Sequence, residues 1–389
     1  MTFSVSLLAR TTSAVLLAFG LGLSAHANTG IIAPTQDNAA YILMDYDTGE
    51  VLAQKNADNA LAPASLTKMM TSYIVEQRLL SGQLSEDTPI MMSENAWCRG
   101  KSTESCMYVP VGKTATAIDM LRGIIIQSGN DASKAVAEHI AGSESAFATL
   151  MNEEAKKLGM TNTYFVNATG MPAENHASSA KDLAVLARAI IRDSGQYYPI
   201  YAEKSFTYNG ITQGNRNTLL LTDSTVDGLK TGHTNEAGYC LVASSNRDGM
   251  RLIAVVMGAK SMQARADQTR ELLSFGFGHF ENATKAPKGQ SIANAPVRFG
   301  KSDKVELITE DALKVLTTKT QSAKIHTITQ INPDITAPIA RGQELGQLIA
   351  TVDGQPVASV PLVAAEEVAQ VGFITRMWRS MTSWIGGLF

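Results

Sequence analysis

Three short fragments of this 389-residue chain hold residue types that could do chemistry together: Ser65-Leu66-Thr67-Lys68, Ser128-Gly129-Asn130 and Lys230-Thr231-Gly232. Each is weak evidence alone, because such fragments recur at helix starts, caps and strand ends. Together they suggest covalent acyl transfer. A serine hydroxyl attacks an amide only when a base takes its proton. Lys68, one helical turn beyond Ser65 and on the same face, can be that base only when neutral. An unperturbed lysine is neutral in about one molecule in 2,500 at pH 7, so burial or a second cation must lower its pKa. Lys230 is the obvious second cation. Ser128 could relay the proton to a leaving amine, with Asn130 fixing Lys68 and the substrate's backbone. Lys230 and Thr231 suit a site that holds a free carboxylate. The backbone N–H of Ser65 is a candidate oxyanion donor, worth about 3–4 kcal/mol at the transition state.

Apolar residues at Leu66, Met69, Met70, Tyr73, Ile74 and Leu80, after Pro63 and before Gly82, predict a helix with Ser65 in its first turn. Unpaired N–H groups and the helix dipole there favour an anion near Ser65. A strand over Tyr41–Asp45 turns through Asp47-Thr48-Gly49 into Glu50–Ala53. Helical patterns follow over 117–141, with Ser128-Gly129-Asn130 between two apolar segments, and over 144–158 and 180–191. Lys230-Thr231-Gly232 leads into a hairpin of Tyr239–Ser244 and Arg251–Gly258 with a turn at Asn246-Arg247-Asp248-Gly249, and a last helix spans Ala264–Phe275. Strands at both ends and helices between them predict one sheet assembled from both ends of the domain.

Beyond Pro287-Lys288-Gly289 short alternating segments dominate, with Asp353-Gly354 as a tight turn, which predicts a small all-β domain. No catalytic cluster is visible in it. In the last twenty residues Phe373, Ile374, Met377, Trp378, Met381, Trp384, Ile385, Leu388 and Phe389 share a helical face, and Arg376, Arg379, Ser380 and Ser383 take the other. That pattern suits a helix lying in a membrane interface, the alternative being a helix docked on the protein's own β domain.

The bulk composition excludes several classes. Hydrophobic residues make up 44% and charged residues 18%, a globular balance, and the net charge of −3 argues against nucleic acid. The six histidines are scattered without metal-ligand spacing. Arg10, an apolar run from Ala14 to Leu23 and Ala25-His26-Ala27 read as a secretory leader, so the body is expected in an oxidising compartment. Cys98 and Cys106 lie eight apart in a polar stretch where a disulfide is geometrically possible, and Cys240 reads as a buried core residue.

Taken over the stretches Pro63-Ala64-Ser65-Leu66-Thr67-Lys68-Met69-Met70-Thr71, Gln127-Ser128-Gly129-Asn130-Asp131-Ala132 and Val226-Asp227-Gly228-Leu229-Lys230-Thr231-Gly232-His233-Thr234, the chain from about Tyr41 onward resembles the low-molecular-mass penicillin-binding proteins, serine-type D-alanyl-D-alanine carboxypeptidases. The resemblance implies an α/β (α+β) transpeptidase domain of the penicillin-binding/β-lactamase-like kind, its antiparallel sheet flanked by helices, followed by a small all-β domain and a C-terminal amphipathic helix. The expected divisions are a signal peptide at 1–27, a catalytic domain at 28–286, the β domain at 287–368 and a membrane-anchoring helix at 369–389.

The implied activity is removal of the terminal D-alanine from peptidoglycan pentapeptides in cell-wall remodelling, with β-lactams as covalent inhibitors. No cofactor or metal is implied. The implied place is the periplasm, attached peripherally to the outer surface of the inner membrane. By resemblance Ser65 is the acyl-ester nucleophile, Lys68 its proton acceptor and Ser128 the relay. Asn130, Lys230, Thr231, Gly232 and the backbone of His233 bind substrate, the His233 N–H as second oxyanion donor. The imidazole of His233 is not read as a triad member. Arg265 is implied in carboxylate binding, with a surface arginine at a helix start as the open alternative.

Two departures stand out: the cysteine-bearing stretch 98–106, where relatives carry different residues, and the lack between Ser128 and Lys230 of a Glu-x-x-Leu-Asn deacylating motif of the class A β-lactamase kind, Glu174-Asn175-His176 being the nearest fragment. The second feature, with Gly129 where β-lactamases carry Asp, disfavours a β-lactamase. A non-catalytic penicillin-binding sensor is the rival from another class.

Overall fold

The computed structural model describes residues 31–98, 104–373 and 375. The expected leader lies outside the described residues, as do Ile374 and everything past Thr375. No helix among the described residues is long and apolar enough to cross a membrane.

The chain opens with strands β1 (Ala40–Asp45) and β2 (Val51–Lys55), joined by a turn in which the Asp45 carboxylate accepts hydrogen bonds from the backbone N–H and hydroxyl of Thr48, both at 2.8 Å. Helix α1 (Lys68–Leu80) follows a 3-10 turn over Ala64–Thr67. The short pair β3 (Pro89–Met91) and β4 (Thr114–Thr116) leads to α2 (Ala117–Ile125), α3 (Asn130–Ala141), α4 (Glu144–Lys157) and α5 (Ala180–Asp193). Thr116, Ser143 and Ser179 each cap a helix by accepting from the N–H three residues on, which sets where α2, α4 and α5 begin. A hairpin of β5 (Ser205–Tyr208) and β6 (Ile211–Gly214) and the single turn α6 (Leu219–Thr222) precede β7 (Val226–Thr234), β8 (Gly238–Arg247) and β9 (Met250–Ala259).

These strands form a five-stranded antiparallel sheet in the order β2-β1-β9-β8-β7, so the sheet is built from both ends of the catalytic region, as expected. The β8–β9 turn places Asp248 at φ +50° and Gly249 at +82°, the left-handed pair that a two-residue hairpin of matching twist needs. Strand β9 is buried almost end to end because both faces of the sheet are covered. Ile42, Ile253 and Val255 face the large core shared with α1 to α5. Leu43 and Leu252 face α7 (Met262–His279), where the lack of a side chain on Gly276 lets the helix settle against them. Ser65 differs slightly from expectation. It sits in the 3-10 turn that enters α1, not in the first turn of α1 itself.

From α7 the chain passes through β10 (Phe280–Ala286), β11 (Ser291–Pro296), β12 (Lys304–Thr309), β13 (Leu313–Thr318), β14 (Ile325–Ile331), β15 (Glu344–Val352) and β16 (Gln355–Ala364). A five-stranded sheet in the order β11-β12-β16-β15-β14 and the β10-β13 pair enclose a second core of Val305, Leu307, Leu313, Val315, Leu348 and Leu362. Lys314 meets Asp47 at 2.9 Å and Asn282 donates to Asp45 at 2.8 Å, which ties the β10–β13 pair to the turn between β1 and β2.

Candidate active site

Ser65 is held by its surroundings rather than by α1 alone. Ala64 is in the left-handed region at φ +47°, an uncommon conformation for a residue with a Cβ. Gly170, at φ +81°, packs against it so closely that a Cβ there would lie 1.8 Å from the Ala64 carbonyl oxygen. Across the turn runs β7, the edge strand of the sheet. Gly232 on β7 approaches so near that a Cβ would sit 3.2 Å from the backbone nitrogen of Ser65. Two glycines from distant parts of the chain thus clasp the serine turn.

Lys68 is fully buried, and its ammonium donates to the Ser65 hydroxyl at 3.0 Å and to the Thr169 carbonyl at 2.6 Å. Burial, and secondarily the guanidinium of Arg216, pull its pKa down to about 7. Near neutral pH about half of the Lys68 side chains are therefore free bases, against about one in 2,500 for an exposed lysine. That satisfies the condition under which Lys68 can accept the serine proton.

Ser128 is buried at the corner between α2 and α3, at φ +59°. Its neighbour Gly129 donates to the Gly123 carbonyl at 2.9 Å. Asn130 opens α3, donating its backbone N–H to Ser105 at 2.7 Å and its side-chain amide to Glu104 at 3.4 Å. The segment around Ser105 is fastened three ways. The Asp131 carboxylate accepts from the N–H groups of Met107 and Tyr108 at 2.8 Å each, Gln213 donates to the Cys106 carbonyl at 2.8 Å, and Cys98 and Cys106 form a disulfide with Cα atoms 6.2 Å apart. Cys240 is free and buried, as read from the sequence.

On the other side stands a cluster of cations. Lys230 is buried, with its ammonium 3.2 Å from the Thr231 carbonyl, and its pKa is driven well below the ordinary lysine value by burial first and then by Lys68, Arg216 and Arg265. No carboxylate pairs with Lys230 among the described residues. Arg265 is only 5% exposed and donates to the Gly232 and Arg216 carbonyls, so the alternative of a surface arginine fails. With no carboxylate partner among the described residues, like charges gathered this closely favour an anion between them. His233 is exposed and stacks on Tyr239 with ring centroids 4.0 Å apart, and its imidazole joins no hydrogen bond among the described residues.

Sequence reasoning missed three contributors. Arg216 lies in a polar loop with no motif around it. The stretch Asn167–Gly170 supplies the carbonyl that holds Lys68 and the glycine that packs on Ala64. His176 accepts from the Val166 N–H on Nδ1, so Nε2 carries the proton and donates to the Thr67 hydroxyl at 2.8 Å. Burial first, and then Lys68, lower its pKa to about 4, which keeps it neutral and structural.

The chain is similar to known proteins over most of its length. Residues 27–261 match the family model for D-alanyl-D-alanine carboxypeptidase, and residues 280–370 match that for the C-terminal domain of penicillin-binding protein 5. The chain is 40% identical over 374 residues to the D-alanyl-D-alanine carboxypeptidase DacC of Escherichia coli, covering 93% of each chain. Its fold matches crystal structures of penicillin-binding protein 5 from Haemophilus influenzae with a TM-score of 0.76 and 37% identity, over 88% of this chain and all of that one. Penicillin-binding protein D2 of Listeria monocytogenes, in its cefotaxime-bound form, matches with a TM-score of 0.58 and 29% identity over 63% of this chain and 99% of that one. A half-buried serine hydrogen-bonded to a buried lysine, on a chain that matches this family over most of its length, leads to one conclusion: the chain belongs to the D-alanyl-D-alanine carboxypeptidase family, serine peptidases among the penicillin-binding proteins.

Proposed function

We propose that this D-alanyl-D-alanine carboxypeptidase acts on peptidoglycan pentapeptides through an acyl-enzyme on Ser65, with Lys68 as the base. The observation that carries the reading is the buried Lys68 ammonium, 3.0 Å from the Ser65 hydroxyl, with a pKa lowered to about 7. Neutral Lys68 takes the Ser65 proton as Oγ bonds to the carbonyl carbon of the penultimate D-alanine. The oxyanion that forms takes the backbone N–H groups of Ser65 and His233. As the C–N bond breaks, the proton held on Lys68 passes through Ser128 to the departing amine. Water then attacks the ester and frees the shortened peptide. Asn130 aligns Lys68 and the substrate amide. Lys230, Thr231 and Arg265 hold the leaving D-alanine's carboxylate, and Gly232 keeps β7 close to Ser65.

The likeness to a cefotaxime-bound relative supports acylation of Ser65 by β-lactams. The sequence of the leader and of the terminal Trp-rich segment supports export and peripheral attachment to the outer surface of the inner membrane, with divisions at 1–27, 28–286, 287–368 and 369–389.

The test is release of D-alanine from a peptide ending in Lys-D-Ala-D-Ala. The wild-type protein should release it, and Ser65→Ala should lower the rate by about 10⁴-fold or more. Stable labelling by a fluorescent penicillin without release would refute the enzyme reading and favour a sensor. Replacing Lys230 by Ala should raise KM for a substrate with a free terminal carboxylate, and an equal loss on the C-terminally amidated analogue would remove its assigned role.

A further inference from the structure

Asn130 is gripped by two successive residues of one loop. Its backbone N–H donates to the Ser105 carbonyl at 2.7 Å, and its side-chain Nδ2 donates to a carboxylate oxygen of Glu104 at 3.4 Å. That loop is itself held by Asp131, by Gln213 and by the Cys98–Cys106 disulfide, so Glu104 reaches Asn130 from a fastened segment. Asn130 is buried and Glu104 half-buried, which spares the contact much of the competition from water.

A half-turn of an asparagine amide exchanges its NH2 donors for its carbonyl acceptor with almost no change of shape, so only its partners set the orientation. An ionised carboxylate accepts and never donates. Glu104 therefore admits the Asn130 nitrogen on its side and repels the oxygen. This contact decides which end of the amide is left for the reaction.

We propose that Glu104 is a positioning residue for acylation. It holds the Asn130 amide with one N–H on the carboxylate, the second N–H free for a substrate carbonyl, and Oδ1 turned away as an acceptor for the Lys68 ammonium. The proposal rests on the Ser65 acyl-enzyme reading and deepens the part that Asn130 plays in it. Glu104 also acts on Lys68 through its charge, in the same sense as Asp131 and Glu144 and against Arg216. Substitution separates charge from orientation.

The experiment follows acylation by a chromogenic β-lactam in Glu104→Ala, which loses both acceptor and charge, and in Glu104→Gln, which loses the charge alone. Glu104→Ala should acylate about three- to tenfold more slowly, the range of one hydrogen bond. Glu104→Gln keeps an accepting oxygen but also offers a donor, so both amide orientations become populated and the rate should fall by no more than about twofold. In an Asn130→Ala background Glu104→Ala should cause no further loss, because a contact that works through Asn130 disappears with it. Three results would each overturn the proposal: a wild-type rate in Glu104→Ala, equal losses in the Ala and Gln variants, or losses that multiply in the double variant. A wild-type protein that acylates without releasing D-alanine would refute the carboxypeptidase reading alone.

Discussion

Lys68 donates to a hydroxyl and a carbonyl and to no carboxylate, so the more distant Asp131, Glu144 and Glu104 only partly offset the lowering of its pKa by burial. The acylation rate at limiting substrate should therefore climb with pH through about 7 and flatten above it, because only the free-base form can take the serine proton. Stopped-flow acylation by a chromogenic β-lactam measures this, and a flat profile from pH 6 to 8 would contradict Lys68 as the base. Lys68→Arg keeps a cation that cannot deprotonate, and should slow acylation by about 10²–10⁴-fold. At this scale the Ser65–Lys68 contact was legible because the two residues lie three apart, and Lys230 stood out because Lys230-Thr231-Gly232 is one continuous fragment. Arg216 and His176 were not, because each matters only through packing against residues far away in sequence: Arg216 acts on Lys68, and His176 bonds Thr67 across more than a hundred residues.

The elements around the site meet by close backbone approach, and the two clasping glycines are where this can be tested. Gly170→Ala would place a Cβ 1.8 Å from the Ala64 oxygen at φ +81°, so the turn bearing Ser65 must shift. Gly159→Ala is the control, since Gly159 has φ +78° but open space around it. Both replacements incur a left-handed backbone cost of about 1–2 kcal/mol, and only Gly170→Ala adds the clash. The expected result is a larger fall in Tm for Gly170→Ala and slower penicillin labelling, with Gly159→Ala labelling at the wild-type rate. Wild-type labelling by Gly170→Ala would show that this contact does not hold Ser65 in place. The hairpin at Asp353-Gly354 was readable because the turn chemistry is written in two residues. The entry to α1 was read as α-helix because apolar spacing does not distinguish a 3-10 turn from the first turn of a helix.

At the scale of the whole molecule, the β domain closes on itself just before the terminal segment. Val368 is buried in its core and pairs with Ile339, and the Val371 N–H donates to Phe299 at 2.9 Å. A protein ending at Gly372 should therefore keep its fold and its D-alanine release, and should lose sedimentation with membranes if the Trp-rich segment is the anchor. Continued sedimentation would place the membrane contact elsewhere. The β domain's existence was legible from short alternating strands, whereas its pairing of β10 with β13 was not, since strand partners so far apart in sequence leave no local mark. The Cys98–Cys106 disulfide carries a further consequence. It closes a small ring on the segment that offers the Ser105 carbonyl to Asn130. In a chain folded among reducing thiols, the segment that meets Asn130 would lose one of its three fastenings and keep the bonds from Asp131 and Gln213. The firmness with which that segment is held thus carries a record of the redox conditions under which the chain matures.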